Sequence, residues 1–466
     1  MTKVFLFGID GSAPNLIFNE WINDLPNIRR LMKTGAYAKM NSTIPPVTII
    51  AWSAIASGKD ASQIGAFSYT IRDPETNKSK IVSSKQIKTD MIWDILSKQN
   101  KRTVSLNVPL TYPVKPINGV MVSGFLTPGI DSNCAYPEDI KEKIKLLGNY
   151  ETFFDISGMA GYKSMDLDVL LKRTYEMTNM QIALLKDLIV NEEWDFFMQV
   201  IIGSDRLQHM LWRHFDKTHR RFIANSEYKN SLKDYYIFLD GKLGEILEII
   251  HEKLGDDVVV IVASDHGMVK QEGKININNW MMEKGYLILK EEFKKETDSG
   301  KTRMKFEGID LDRTAAYATG AYHARIFINK AVVGEDYEGF RRKLIEELKA
   351  IPDDKGQPLK TEVFKAEETY AYPEHPECPD LTVYFDELRW AANPDFGMFG
   401  LYSWESAFGA DNAGHSMQGC FIISGKGIKA KGDLGEVEIY QLAPTILQLV
   451  GVPVPKDIKH KPIAIN

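Results

Sequence analysis

The chain has 466 residues, 44% hydrophobic and 26% charged, which excludes a disordered or fibrous protein. Its 57 basic and 63 acidic side chains give a net charge of −6, so a nucleic-acid duplex is not the expected partner. Three scattered cysteines, Cys134, Cys378 and Cys420, are too few for a disulfide framework and read as reduced thiols in a cytoplasmic protein.

The N-terminal stretch VFLFGID (4–10) is apolar but too short for a signal-peptide core, and reads as a buried first strand. No apolar run reaches the length of about 20 residues that a membrane span needs. In chain order, further apolar runs follow at 103–109, 196–205, 258–265 and 419–425. Such continuous runs suit strands buried on both faces. Helical-period segments lie at 49–57, 89–99, 167–189, 232–254 and 440–450. The alternation predicts an α/β fold with a sheet covered by helices on both faces. Between 276 and 375 the pattern changes: a charged stretch at 291–308, then strand, helix and strand at 324–329, 337–351 and 361–370. This predicts a small α+β subdomain at 276–375, inserted into a discontinuous core of 1–275 and 376–466.

Acidic residues and histidines gather where the apolar runs end. In open α/β sheets that edge binds ligands. Asp10 ends the first run and Asp205 follows the run that begins at 196. Asp265 and His266 end the run that begins at 258. A single Asp there is ordinarily a helix cap or turn residue. Asp205 and His209 stand four apart, a spacing that puts both on one helix face and lets them chelate an ion. Taken alone, the pair is also read as a cap with a surface histidine. His415 lies in a glycine-flanked loop before the last apolar run. In STIPPVTIIAWSAIASG, two prolines force an extended approach and a helix begins near Thr48, ending at Gly58. Thr48 therefore sits at a helix N-terminus, where free N–H groups favour an anion. A plain N-cap is the alternative reading.

Asp10, the PPVT segment with Thr48, Asp205-x3-His209, Asp265-His266 and the GHxxxG around His415 resemble, in this order, the alkaline phosphatase superfamily. The similar branch is that of nucleotide pyrophosphatases and type I phosphodiesterases, within it the predicted phosphohydrolase/phosphomutase group. The resemblance runs over essentially the whole chain and implies an alkaline-phosphatase-like fold. It implies one metal held by Asp205, His209 and His415, and a second by Asp10, Asp265 and His266. Thr48 would touch the second metal and act as the nucleophile. The cofactors implied are two divalent ions, Zn²⁺ as first choice and Mn²⁺ as the alternative. Metal coordination is what would make a threonine hydroxyl nucleophilic at neutral pH.

Departures from the superfamily narrow the chemistry. The stretch after Thr48, Ile49-Ile50-Ala51-Trp52, lacks the proline and arginine of the sulfatase motif. Where nucleotide pyrophosphatases carry an asparagine, this chain has Tyr69. Tyr69, Asn107 and His323 are the candidate substrate contacts. Lys59 and Arg72 read as solvated surface charges, which leaves no cation for a phosphomonoester dianion. Phe67 and Tyr69 are expected to make room for a second ester group. His375 and Cys378 lie in a proline-rich stretch and read as a surface loop.

The expected activity is hydrolysis of a small-molecule phosphate ester, a diester in preference to a monoester, through a phosphothreonine. A phosphomutase or phosphomonoesterase on the same scaffold is the alternative. A non-catalytic metal-binding protein would have lost a ligand or the nucleophile, and none is lost.

Overall fold

The computed structural model describes residues 2–72, 78–156, 161–297, 304–397, 400–406 and 409–465. Nine strands form the main sheet: β1 Lys3–Ile9, β2 Ala36–Asn41, β3 Thr103–Val108, β4 Gly119–Ser123, β5 Ala135–Tyr136, β6 Phe196–Ile201, β7 Val258–Ala263, β8 Gln418–Gly425 and β9 Gly432–Glu438. Their order is β9-β2-β8-β7-β1-β6-β3-β4-β5. The five central strands, β7 to β4, run parallel. β8 is antiparallel to both its neighbours, and β5 is antiparallel to β4. The sheet is therefore mixed, with a parallel centre.

The five apolar runs all become strands of this sheet. β1, β3, β6 and β7 are buried along nearly their whole length, as strands covered on both faces must be. The helices that cover it include Thr48–Ser57, Leu167–Asn191, Ser231–Leu254 and Leu442–Val450. The sequence pattern did not reveal β2, β4, β5 and β9. β2 alternates buried and partly exposed residues, and β9 is largely exposed. Neither presents an apolar run.

A second cluster of buried apolar side chains extends from Ile275 to Phe396. Its four-stranded antiparallel sheet has the order Ala316–Thr319, Ala324–Ile328, Leu381–Tyr384, Glu362–Lys365. The helix Tyr337–Lys349 buries Leu344 and Leu348 in the same cluster. The segment expected as one strand at 361–370 divides into Glu362–Lys365 and a short helix, Ala366–Thr369. The charged stretch at 291–308 begins as the helix Glu291–Thr297, and residues 298–303 lie outside those described. Among the described residues, no helix is long and apolar enough to cross a membrane.

Candidate active site

Three neighbouring strands build the site. β1 pairs in parallel with β6 on one side and β7 on the other, so their carboxyl ends meet at one edge. Asp10 leaves β1 there, and Asp265-His266 leave β7. One residue beyond β6 the helix Gly203–Phe215 begins and carries Asp205 and His209 one turn apart. His415 lies on a short strand, Ala413–Ser416, antiparallel to Gly267–Lys270, with His415 opposite Met268. The loop expected around His415 is thus a strand. That pairing stacks the His415 ring on His266, with centroids 3.7 Å apart.

The six side chains fall into two groups of three: Asp205, His209 and His415, and Asp10, Asp265 and His266. All are at most 2% exposed. Each histidine donates its Nδ1 hydrogen to a backbone carbonyl: His209 to Ala413, His266 to Gly267, His415 to Pro46. That fixes the tautomer and leaves each Nε2 lone pair facing inward. Opposite stand three buried carboxylate oxygens without a hydrogen-bond partner: Asp10 Oδ1, Asp205 Oδ1 and Asp265 Oδ2. The Nε2 atoms of His209 and His415 lie 3.3 and 3.5 Å from Asp205 Oδ1. His266 Nε2 lies 3.2 Å from Asp265 Oδ2 and 3.7 Å from Asp10 Oδ1. A tetrahedral ion with bonds of about 2.0–2.1 Å needs its ligand atoms roughly 3.3–3.4 Å apart. Both triads fit a divalent cation in spacing and in donor chemistry.

Without such a charge the carboxylates are poorly placed. Burial, and then the charge of Asp205, raises Asp10 well above the ordinary carboxylate range. Burial and Asp10 do the same to Asp265. Burial also acts on Asp205, but His209, His415 and Arg206 outweigh it and hold that carboxyl low. Burial lowers His266 and His415, which keeps their imidazoles neutral, the form that ligates.

The helix Thr48–Ser57 presents Thr48 to this edge and ends at Gly58, which adopts the left-handed conformation. Val47 is the N-cap and Thr48 the first helical residue, so Thr48 is not itself the cap. Thr48 Oγ1 lies 3.3 Å from His266 Nε2 and accepts a hydrogen bond from Tyr69 Oη at 3.2 Å. One turn on, Trp52 Nε1 donates to Asp10 Oδ2 at 2.7 Å. Gly8 makes this possible: a Cβ there would stand 2.5 Å from the Trp52 ring.

A cavity of about 320 Å³ opens on the site between the main sheet and the smaller one. Tyr69 and His323 line it, together with Asp205, His209 and His415. Asn107 is not in its lining; the side chain accepts a hydrogen bond from Gln199 Nε2. Phe67 is also absent from the lining and packs on Tyr370 and His375. The room expected beside it is filled by these two rings. Lys59 is buried and pairs with Asp457, and Arg72 lines the cavity over Phe306, so neither is the solvated charge expected. Cys378 is buried with a free thiol, rather than held in an exposed loop.

Several site neighbours were not read from the sequence. Arg206 binds Asp205 at 2.8 Å and Asp155 at 3.1 Å, and covers Phe125 and Tyr162. Tyr322 stacks on His415, with its Oη 3.2 Å from His209 Nε2. Asp411 pairs with Lys163 and Lys274 behind His209. Arg206 adjoins Asp205 in sequence and was open to inference; Lys163 and Asp411 are brought together only by the fold.

The sequence profile of type I phosphodiesterases/nucleotide pyrophosphatases matches residues 4–398. The chain belongs to this family. It is accordingly a phosphoric ester hydrolase, of the metal-dependent kind. No curated protein matches its sequence significantly. Among solved structures, human ectonucleotide pyrophosphatase/phosphodiesterase 5 is similar, with a TM-score of 0.57 at 14% identity, covering 97% of this chain and 96% of that one. The murine counterpart, as an inactive threonine-to-alanine form in complex with AMP, gives a TM-score of 0.55 at 14% identity, covering 98% and 96%. These likenesses establish the alkaline-phosphatase-type fold.

Proposed function

We propose that the protein hydrolyses phosphodiesters through a covalent phosphothreonine at Thr48, with two zinc ions as cofactors. The observation that carries this reading is the set of three partnerless carboxylate oxygens facing three inward Nε2 atoms, with Thr48 Oγ1 beside them. Asp205, His209 and His415 would hold one ion, and Asp10, Asp265 and His266 the other, with Thr48 Oγ1 as a further ligand. Bound there, two divalent cations would supply Lewis-acid stabilisation of attacking and leaving oxygens and favour the threonine alkoxide. The nitrogen and oxygen donor sets in small, near-tetrahedral groups favour Zn²⁺ over Mn²⁺.

The protein's own groups do the rest. Thr48 Oγ1 attacks phosphorus as the ester oxygen departs in line, forming the threonine–phosphate bond; water then displaces Thr48 and releases the phosphate product. The N–H groups of Thr48 and Ile49, at the helix start, have no backbone partner and would be available to a phosphoryl oxygen. Tyr69 Oη, already bonded to Thr48 Oγ1, is placed to donate to a phosphoryl oxygen once Thr48 is esterified. The phenol is raised by burial and stays protonated as a donor. That the murine neighbour's inactive form exchanges a threonine for alanine and binds AMP supports both the Thr48 role and a nucleotide-like ester as substrate.

The cations nearest the triads are already paired, Arg206 with two aspartates and Lys163 with Asp411. At the phosphoryl position itself this favours a diester monoanion over a monoester dianion, whose extra charge there needs an added positive partner. The test is a panel of chromogenic mono- and diesters assayed with Zn²⁺, Mn²⁺ and Mg²⁺ in turn. Turnover of diesters with Zn²⁺ is expected; no turnover of any ester with any of the three ions would overturn the reading.

A further inference from the structure

The strand Ala324–Ile328 has two unlike faces. Ala324, Ile326 and Ile328 belong to the second apolar cluster. On the alternate face His323, Arg325 and Phe327 all line the cavity. His323 stands next to Tyr322, which stacks on His415, so this row leads from the metal triads outward.

Arg325 is the unusual member. It is 3% exposed, yet its guanidinium forms no ion pair with any described carboxylate. Its Nη2 donates to the backbone carbonyl of Glu377, and its Nε has no partner. The rings of Phe67 and Phe327 flank it. Burying a charged group without a counter-charge is costly, and such groups ordinarily have a partner. His323, equally buried, also leaves Nε2 without a partner. Burial, with Arg325 and His415 beside it, pushes His323 down to about 3, so it is a neutral imidazole that adds a hydrogen bond but no charge. Two incompletely satisfied polar side chains therefore face one cavity, and one of them is a buried cation that forms no ion pair with Glu377, the nearby carboxylate in the same lining.

We infer that Arg325, assisted by His323, receives a second anionic group of the substrate, a phosphate or carboxylate carried on the ester substituent. The inference rests on the esterase reading for the position of the scissile phosphorus. His323 and Arg325 stand two residues apart, about 6–7 Å, on the same face, so their side chains can share one anion outward of Tyr322 and His415. Phe327 and Tyr322, aromatic members of the same cavity lining, suit a planar spacer between the two anions. The substrate class is thus a phosphate ester whose substituent bears a second anion.

The test is calorimetric titration of the zinc-loaded protein with phenylphosphonate and with para-carboxyphenylphosphonate. The para-phosphono analogue, run alongside, distinguishes phosphate from carboxylate as the second anion. The wild type should bind at least one of the two ligands that carry a second anionic group about tenfold or more tightly than phenylphosphonate, the scale of a charge-assisted guanidinium pair. In Arg325→Met that gain should vanish, with phenylphosphonate affinity unchanged, and Arg325→Lys should keep part of it. Arg325→Met should also melt no lower than the wild type, because it removes a buried unpaired charge. No gain in the wild type, a gain that survives in Arg325→Met, or a marked loss of thermal stability in that variant would each overturn the inference. Hydrolysis of methyl p-nitrophenyl phosphate by the same preparations reads the esterase separately. Its absence, with the calorimetric difference intact, would overturn the Thr48 mechanism and leave the anion subsite standing.

Discussion

Replacing Thr48 by alanine should separate chemistry from folding, and the structure gives the size of both effects. Thr48 is the first helical residue and Val47 the N-cap, so no capping bond is lost. The substitution removes one buried methyl group, worth about 1 kcal/mol. It also removes the acceptor of the Tyr69 hydrogen bond, about 1 kcal/mol more. Alanine returns roughly 0.5 kcal/mol through its higher helix propensity. The net cost is on the order of 1–2 kcal/mol, which shifts the melting temperature of a chain this long by only a few degrees. Catalysis should fall far more, by at least about a thousandfold, or roughly 4 kcal/mol in transition-state stabilisation. Thr48→Ser keeps the hydroxyl and should stay within about tenfold of wild type. The assay is kcat/KM on a chromogenic diester with Zn²⁺, beside a circular-dichroism melt of each variant. A folded Thr48→Ala protein with near-wild-type turnover would refute the assignment of the nucleophile.

Two further outcomes are expected. Tyr69→Phe should lower kcat/KM by about a hundredfold to a thousandfold, the scale for one lost preorganised donor to a developing oxyanion, without changing metal content; an unchanged rate would reduce Tyr69 to a packing residue. Bis-p-nitrophenyl phosphate should be hydrolysed with a higher kcat/KM than p-nitrophenyl phosphate in the same buffer and metal. A monoester preference of about tenfold or more would remove the diesterase proposal and leave the two-triad site untouched.

The centre of the sheet was legible because β1, β3, β6 and β7 are buried on both faces and so read as unbroken apolar runs. The edge strands were not, because β9 is largely exposed and β5 has only two residues. Members of the two triads were legible for a related reason: Asp10 and Asp265 end such runs, and Asp205 and His209 have a helical spacing; their grouping, and His415's place in it, came from the resemblance to the alkaline phosphatase superfamily. The cavity wall was not legible. Whether Arg72 or Lys59 meets solvent depends on segments hundreds of residues away, Phe306 for one and Asp457 for the other. Arg325 was invisible for the same reason, since an alternating strand reads only as half-buried until its second face is seen to border a cavity.

Metal analysis of the extensively dialysed protein tests the central claim most directly. The account predicts up to two divalent ions per chain, activity lost with EDTA and restored by Zn²⁺, and a His415→Ala variant that loses one ion while Asp10, Asp265 and His266 keep the other. Protein that holds no transition metal and keeps full activity in EDTA would contradict it.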